Sequence, residues 1–212
     1  SFYRNLHITN KVGAELNSTY KSKFGVTGFG IDMSKVFIVS NNLGNYNRFM
    51  TTVFVEQQIK LLDEKLDITP GFAVNYFSDF KFHFFPGIDI GYQLTDKIRT
   101  YANVGKTYRI PTYTDLNYFS PTSVGNPDLD PAFTDALDFG YLKRWNKLTF
   151  NTSLYVNRTT DSFQFVRKAT GVEINDVEVI QSSPINLATE YRAGFEFTLN
   201  YSPYKWWKLN SN

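Results

Sequence analysis

Apolar and polar residues alternate one by one along most of this chain, a period of two that suits β-strands with two unlike faces. The alternation is cleanest in four runs. Leu6, Ile8, Val12, Ala14 and Leu16 alternate with His7, Thr9, Lys11, Gly13, Glu15 and Asn17. Leu66, Ile68, Pro70, Phe72, Val74 and Tyr76 alternate with Asp67, Thr69, Gly71 and Asn75. Leu148, Phe150, Leu154 and Val156 face one way, and Thr149, Asn151, Ser153 and Asn157 the other. Tyr191, Ala193, Phe195, Phe197, Leu199 and Tyr201 oppose Arg192, Gly194, Glu196, Thr198 and Asn200. Each run therefore borders two different solvents.

Alternation does not say which solvent lies outside. A soluble sandwich puts Phe195 and Phe197 in its core, whereas a membrane barrel puts them in lipid. Three features favour the barrel. Several runs exceed the roughly 5–6 residues of a soluble strand and approach the 9–11 of a tilted membrane strand. Connections alternate in length: those at Tyr20–Lys23, Leu62–Lys65, Leu94–Lys97, Lys143–Lys147 and Ser202–Lys205 are tight, and those around Asn41–Asn47, Arg109–Phe133 and Arg167–Asn186 read as long. The one near Phe77–Lys81 is short, an exception on the long side. This is the asymmetry of bacterial barrels, short turns at one end and long loops at the other. Finally Trp145, Trp206 and Trp207 all fall at short turns, with Tyr141, Tyr201 and Tyr204 nearby, as in an interfacial girdle.

Composition agrees where it bears on the question. Aromatic residues make 17% of the 212 residues, the proportion expected of a chain with girdles or ring-binding surfaces. A mean hydropathy of −0.32, with no apolar run near 18 residues, excludes a membrane helix but not a barrel. Cysteine is absent, so disulfides and thiolate metal sites drop out, and a net charge of +2 gives no field for nucleic acid.

From Tyr101 to Tyr141 the pattern changes. Tyr101–Tyr108 reads as a strand, Pro111, Pro121, Pro127 and Pro131 forbid regular structure after it, and Leu137, Phe139 and Tyr141 resume the alternation. A loop this long has a purpose, and Tyr108, Tyr113, Tyr118, Phe119 and Phe133 argue against disorder. Lys106-Thr-Tyr-Arg-Ile-Pro-Thr-Tyr-Thr-Asp-Leu116, Gly125-Asn-Pro-Asp-Leu-Asp-Pro131 and Leu137-Asp-Phe-Gly-Tyr141, in this order, resemble the barrel signature of TonB-dependent outer-membrane receptors. Ala132 and Asp138 stand where that family usually has Glu. Within the family, the wording Tyr-Thr-Asp-Leu-x-Tyr and Ser-Pro-Thr looks most like the vitamin B12 receptors.

The resemblance implies an all-β antiparallel transmembrane barrel of 22 strands, of which residues 1–212 form a partial barrel domain of roughly ten strands, without the plug. Residues 109–133 and about 167–186 would be extracellular loops. It implies TonB-dependent active transport across the bacterial outer membrane, with cobalamin the first ligand and an iron siderophore the second. TonB would act through the plug, outer-membrane lipid would surround the wall, and neither catalysis, cofactor, metal nor nucleic acid is expected. No signal peptide is visible at Ser1-Phe-Tyr-Arg4, and both ends read as lying inside strands, so the expectation is a piece of a larger barrel.

Candidate ligand contacts are Arg109, Tyr113, Asp115, Tyr118 and Phe119, rings with a few polar groups that suit a large amphipathic ligand. The competing role for the same residues is to pack the loop onto the barrel rim. Asp128, Asp130, Asp135 and Asp138 match no calcium-loop spacing and read as solvated acids. Lys11, Glu15, Arg99, Arg192 and Glu196 belong to the lumenal face. Two other classes stay open: a small barrel hydrolase using His83 with Asp79 or Asp89, and a soluble carbohydrate-binding sandwich.

Overall fold

The computed structural model describes residues 4–174 and 177–211. Its strands, in chain order, are β1 (His7–Ser22), β2 (Gly25–Ser40), β3 (Gly44–Leu61), β4 (Leu66–Phe77), β5 (Lys81–Thr95) and β6 (Ile98–Arg109). A one-turn helix α1 (Tyr113–Asn117) and two short strands, β7 (Phe119–Ser120) and β8 (Ser123–Val124), come next. The remaining strands are β9 (Ala132–Arg144), β10 (Leu148–Thr160), β11 (Phe163–Ile174), β12 (Val177–Asn186), β13 (Thr189–Tyr204) and β14 (Trp207–Ser211).

Ten of these make one antiparallel sheet in the order β1-β2-β3-β4-β5-β6-β9-β10-β13-β14, and β11-β12-β8-β7 make a second, smaller one. The roughly ten-strand expectation therefore holds. Because each strand pairs with its neighbour in the chain, or with the next one after a loop excursion, every connection is local.

Register assigns the faces. Val12 pairs with Lys35, Leu16 with Ile31, Phe72 with Pro86, Val104 with Leu137 and Leu154 with Phe195, and all lie on one side of the sheet. That side is solvent-open: Leu16 is 70% exposed and Phe195 64%. A sandwich buries such residues against a second sheet, so the sandwich expectation is overturned. The opposite face carries Lys11, Glu15, Arg99, Arg192 and Glu196, as the alternation requires.

Along the apolar face of the ten-stranded sheet, the charges among the described residues stand at two levels. Lys143 lies against Trp145 at the short-turn end, its Nζ 4.6 Å from the ring centroid. At that end Tyr204 also stacks on Trp206 at 5.5 Å, and Tyr201 meets Trp207 edge-on at 6.2 Å. The next charges of outward parity are Lys35, Lys106, Asp135 and Arg158, each eight to ten residues in from the short-turn end of its strand. About ten residues, rising roughly 3.3 Å each and tilted about 40°, climb roughly 25 Å, the height of an outer-membrane apolar band.

Three connections differ from the sequence reading. Asn41–Asn47 is not a long loop: β2 and β3 continue upward as a hairpin closed by Asn41–Leu43, with Gly44 at φ +92°. Asn and Gly signal a turn, and here the turn is tight. The prolines between 109 and 133 do not exclude regular structure, since α1, β7 and β8 fit between them. Between 167 and 186 the described residues are the paired strands β11 and β12 rather than a loop, and residues 175–176 lie outside the described residues.

Between β5 and β6 the sheet divides. Their ladder runs from the short-turn end up to the Gly87–Gly105 pair and stops. Above it, Lys81–Pro86 pairs with β4 alone and Lys106–Arg109 with β9 alone. Pro86 has no N–H to donate and stands where the ladder ends. Rings fill the gap: Tyr108 stacks on Phe85 at 4.5 Å and meets Phe77 edge-on at 5.5 Å, while Phe133 lies 5.2 Å from His83. Tyr108 and Phe133 share the strand parity of lipid-facing Val104 and Leu137, yet they pack on the inner-face residues of β4 and β5. The top of β6–β9 thus overlaps the inner face of β4–β5.

On the inner face, large side chains lie across small cross-strand partners. Tyr101 is paired with Gly140, its ring covers the position where a Gly140 Cβ would stand, and its hydroxyl donates to Asn151 Oδ1 at 3.2 Å. Gly140→Val drives a methyl group into that ring and is expected to cost about 1–3 kcal/mol. Denaturant unfolding in lipid vesicles measures this, and Tyr101→Ala in the same chain should recover part of the loss. Equal unfolding midpoints for Gly140→Val and the native chain would show that the ring does not sit there.

Candidate functional site

Arg48, on the inner face near the top of β3, organises the long-loop end. Its side chain is only 9% exposed. Nε donates to Asp79 Oδ2 at 2.7 Å, in the β4–β5 turn, and Nη2 donates to the Pro111 carbonyl at 3.0 Å, in the long loop. The guanidinium also faces two rings, Tyr113 at 5.0 Å and Phe80 at 5.2 Å. Arginine suits this place because one planar group donates in several directions while stacking on aromatic faces. Pro111 is fully buried beneath it.

The loop adds its own order. Thr112 caps α1 by accepting from the Asp115 N–H at 3.1 Å, and Asp115 Oδ2 accepts from the Thr112 N–H and hydroxyl, each at 2.9 Å. Arg109 Nη2 reaches the same carboxylate at 3.3 Å, and its guanidinium lies 4.6 Å over Phe163 of β11. Tyr46 stacks on Tyr113 at 5.4 Å. Burial pushes the Tyr113 phenol above its ordinary pKa, opposed by the charge of Arg48 and reinforced by that of Asp79. Asn42, in the β2–β3 turn, grips the Phe119 backbone twice: Nδ2 donates to its carbonyl at 2.6 Å and Oδ1 accepts from its N–H at 3.2 Å.

The second small sheet ties this loop to the β11–β12 hairpin. Ser182 N–H donates to the Thr122 carbonyl at 2.8 Å, and Gln181 Nε2 donates to the Ser120 carbonyl at 2.9 Å. Asn126 Nδ2 donates to the buried Pro184 carbonyl at 3.0 Å. Asn186 closes the base, accepting from the Asp130 N–H and donating to its carbonyl, both at 2.9 Å. Asn126, Asp130 and their prolines thus act as turn and tie residues.

The five sequence candidates divide accordingly. Asp115 is buried and occupied by the cap and by Arg109. Tyr113 is held between Tyr46 and Arg48, and Tyr118 is half-buried, its carbonyl accepting from the Gly125 N–H at 2.6 Å. Arg109 and Phe119 remain open, with 59% of the Arg109 side chain and 61% of Phe119 exposed. Sequence reasoning missed Arg48, Asn42 and Tyr46. Arg48 stands 63 residues before Pro111, and on the strand pattern it is one more polar residue of the wet face.

The hydrolase alternative finds no assembled site. His83 Nε2 donates to the Phe80 carbonyl at 2.8 Å among aromatic rings, Asp79 is paired with Arg48, and Asp89 is bonded to Asn103. Neither carboxylate orients the imidazole. Asp135 pairs with Lys106 and Arg158 rather than with the other acids of its group.

Arg48→Ala removes the link between β3, the β4–β5 turn and the loop, and is expected to cost about 1–3 kcal/mol. Limited proteolysis should then cut faster between residues 110 and 131, with Arg48→Lys intermediate because it keeps the charge and loses the fork. An unchanged cutting rate in Arg48→Ala would remove Arg48 from this role.

Among known structures, the siderophore receptor PirA of Pseudomonas aeruginosa aligns over 98% of this chain and 43% of its own, at 17% identity and a TM-score of 0.79. A mutant of the ferric enterobactin receptor PfeA of the same organism, solved with enterobactin, aligns over 99% of this chain and 36% of its own, at 14% identity and a TM-score of 0.79. A double mutant of the Serratia marcescens hemophore receptor HasR, with its hemophore HasA and heme, aligns over 93% and 40%, at 14% identity and a TM-score of 0.77. The chain thus spans well under half the length of the receptors whose fold it shares. No curated protein matches the sequence. The profile of the outer membrane protein β-barrel family matches residues 72–212, and the chain belongs to that family, a wall of ten strands in the outer membrane.

Proposed function

We propose that residues 1–212 form part of the barrel of a TonB-dependent receptor that imports a ferric siderophore, with cobalamin as the second choice of ligand. One observation carries the reading. At the long-loop end, a buried cation and its rings fix a loop from which one cationic and one aromatic side chain, Arg109 and Phe119, face solvent. A ferric catecholate presents negative charge and flat rings, which such a pair recognises by charge and stacking. The fold is shared with receptors described as binding siderophores, enterobactin or heme with its hemophore. That support reverses the order of ligands expected from the sequence wording alone.

The wall itself does no chemistry on the ligand. Its neighbouring strands are laddered together up to the division between β5 and β6, as lipid demands, and its loop end supplies a pre-formed surface, which lowers the ordering cost of binding. A plug and TonB, which the resemblance implies, would supply movement and energy.

Titration of the purified whole protein in detergent with ferric enterobactin, hemin and cyanocobalamin tests this. Ferric enterobactin should bind, and Arg109→Ala or Phe119→Ala should each weaken it about tenfold, or roughly 1.4 kcal/mol. Binding of cyanocobalamin alone would restore the second ligand, and unchanged affinity in both variants would move the site elsewhere on the wall.

A further inference from the structure

The small sheet at the long-loop end has an open side. Its strand order is β11-β12-β8-β7, and among the described residues β11 is laddered to β12 alone. From Gln164 to Ala169 the other edge of β11 therefore presents backbone N–H and C=O groups to which a further strand can bond. Gln164, Phe165, Arg167, Lys168 and Ala169 are exposed, and Val166 is half-buried. Phe165 leaves 61% of its surface open. Only at the base, where the Arg109 guanidinium lies over Phe163, is the strand covered.

The charges on this edge are of one sign. Arg48, Lys106, Arg109, Arg158 and Arg192 each meet a carboxylate, whereas Arg167 and Lys168 meet none among the described residues. Arg167 also walls a hollow of about 370 Å³ with Thr122, Ile180 and Ser182, so its guanidinium borders open space. Successive residues of a strand face opposite sides, which puts Phe165 and Arg167 on one face and Lys168 on the other. A second copy of β11 is a poor occupant. Antiparallel pairing centred on these residues sets Arg167 and Lys168 against their own copies, and like charges opposite one another destabilise a sheet. Cations on an open edge guard against self-association in this way. Against an acidic strand the same two charges become cross-strand attractions.

We propose that the open edge of β11 takes an extended acidic segment of another protein as an added strand. Backbone groups of Gln164–Ala169 bond to the segment, and side-chain pairs select it. Laid antiparallel, it carries acids at two successive positions, opposite Lys168 and Arg167, and an apolar residue two positions after the second acid, beside Phe165. The surface uses neither Arg109 nor Phe119, and its test involves no transported ligand.

The probe is a fluorescein-labelled peptide, Thr-Asp-Glu-Thr-Val-Thr, titrated into the whole protein in detergent, with Thr-Lys-Lys-Thr-Val-Thr as its control. Anisotropy should show the acidic peptide binding about tenfold more tightly than the basic one, and Arg167→Glu with Lys168→Glu should reverse that order. Amide hydrogen exchange over residues 164–169 should be fast in the protein alone and slow with the acidic peptide bound. Unheated gel mobility checks that the double variant folds; if it does not, exchange protection of the native chain by the acidic peptide and not by the basic one decides. Slow exchange without peptide overturns the proposal, because the receptor's own chain or a second copy then covers the edge. Equal binding of the two peptides, or an unchanged order in the double variant, overturns it as well. So does release of the peptide by millimolar glutamate, since the site would then take small acids and not a strand.

Discussion

A β-strand in lipid has no water with which to satisfy its N–H and C=O groups, so each must find a partner on the next strand. That demand shapes the whole wall. It forces long, unbroken antiparallel ladders such as the one joining β1 to β2 from His7–Ser40 to Ser22–Gly25. It keeps charge off the outward face for about ten residues. It moves irregular backbone to the two ends, where water is available, and the long-loop end is where the chain has room for something other than a wall.

There the structure uses a different means of cohesion. The ladders give way to side chains that tie one connection to another: Arg48 to Asp79 and Pro111, Asn42 to Phe119, and Asn186 to Asp130. A buried cation such as Arg48 is costly unless well partnered, and its partners come from separate loops. The cost of leaving it unpaired keeps those loops together, and the amides add hydrogen bonds between loops in a more exposed setting.

The wall was legible in the sequence because a period of two is a local property. Leu148–Val156 and Tyr191–Tyr201 declare their faces with no knowledge of their neighbours. The loop end was less so, because its interactions join distant residues. Arg48 could not be told from Arg99 or Arg192 by pattern, since all three occupy inner-face positions, and only their partners differ. Residues 167–186 read as loop because Gly and Asp interrupt the alternation, although Phe163–Ala169 pairs with Ile180–Asn186. Parity itself failed at Tyr108 and Phe133. It assigns a face only while the sheet stays whole, and above Gly87 and Gly105 it does not.

That division changes the mechanics of the wall. A ladder resists shear, because sliding one strand along another breaks several directional bonds at once. Ring contacts resist it weakly, since dispersion is non-directional and a stacked pair keeps most of its attraction after a small offset. Below Gly87 the two halves of the wall are therefore stitched, and above it they bear on one another through Phe85, Tyr108 and Phe133. The long loop is rooted on the far side of that joint from Arg48 and Asn42, so its position relative to them is set by the side chains that grip it and not by the strands that carry it.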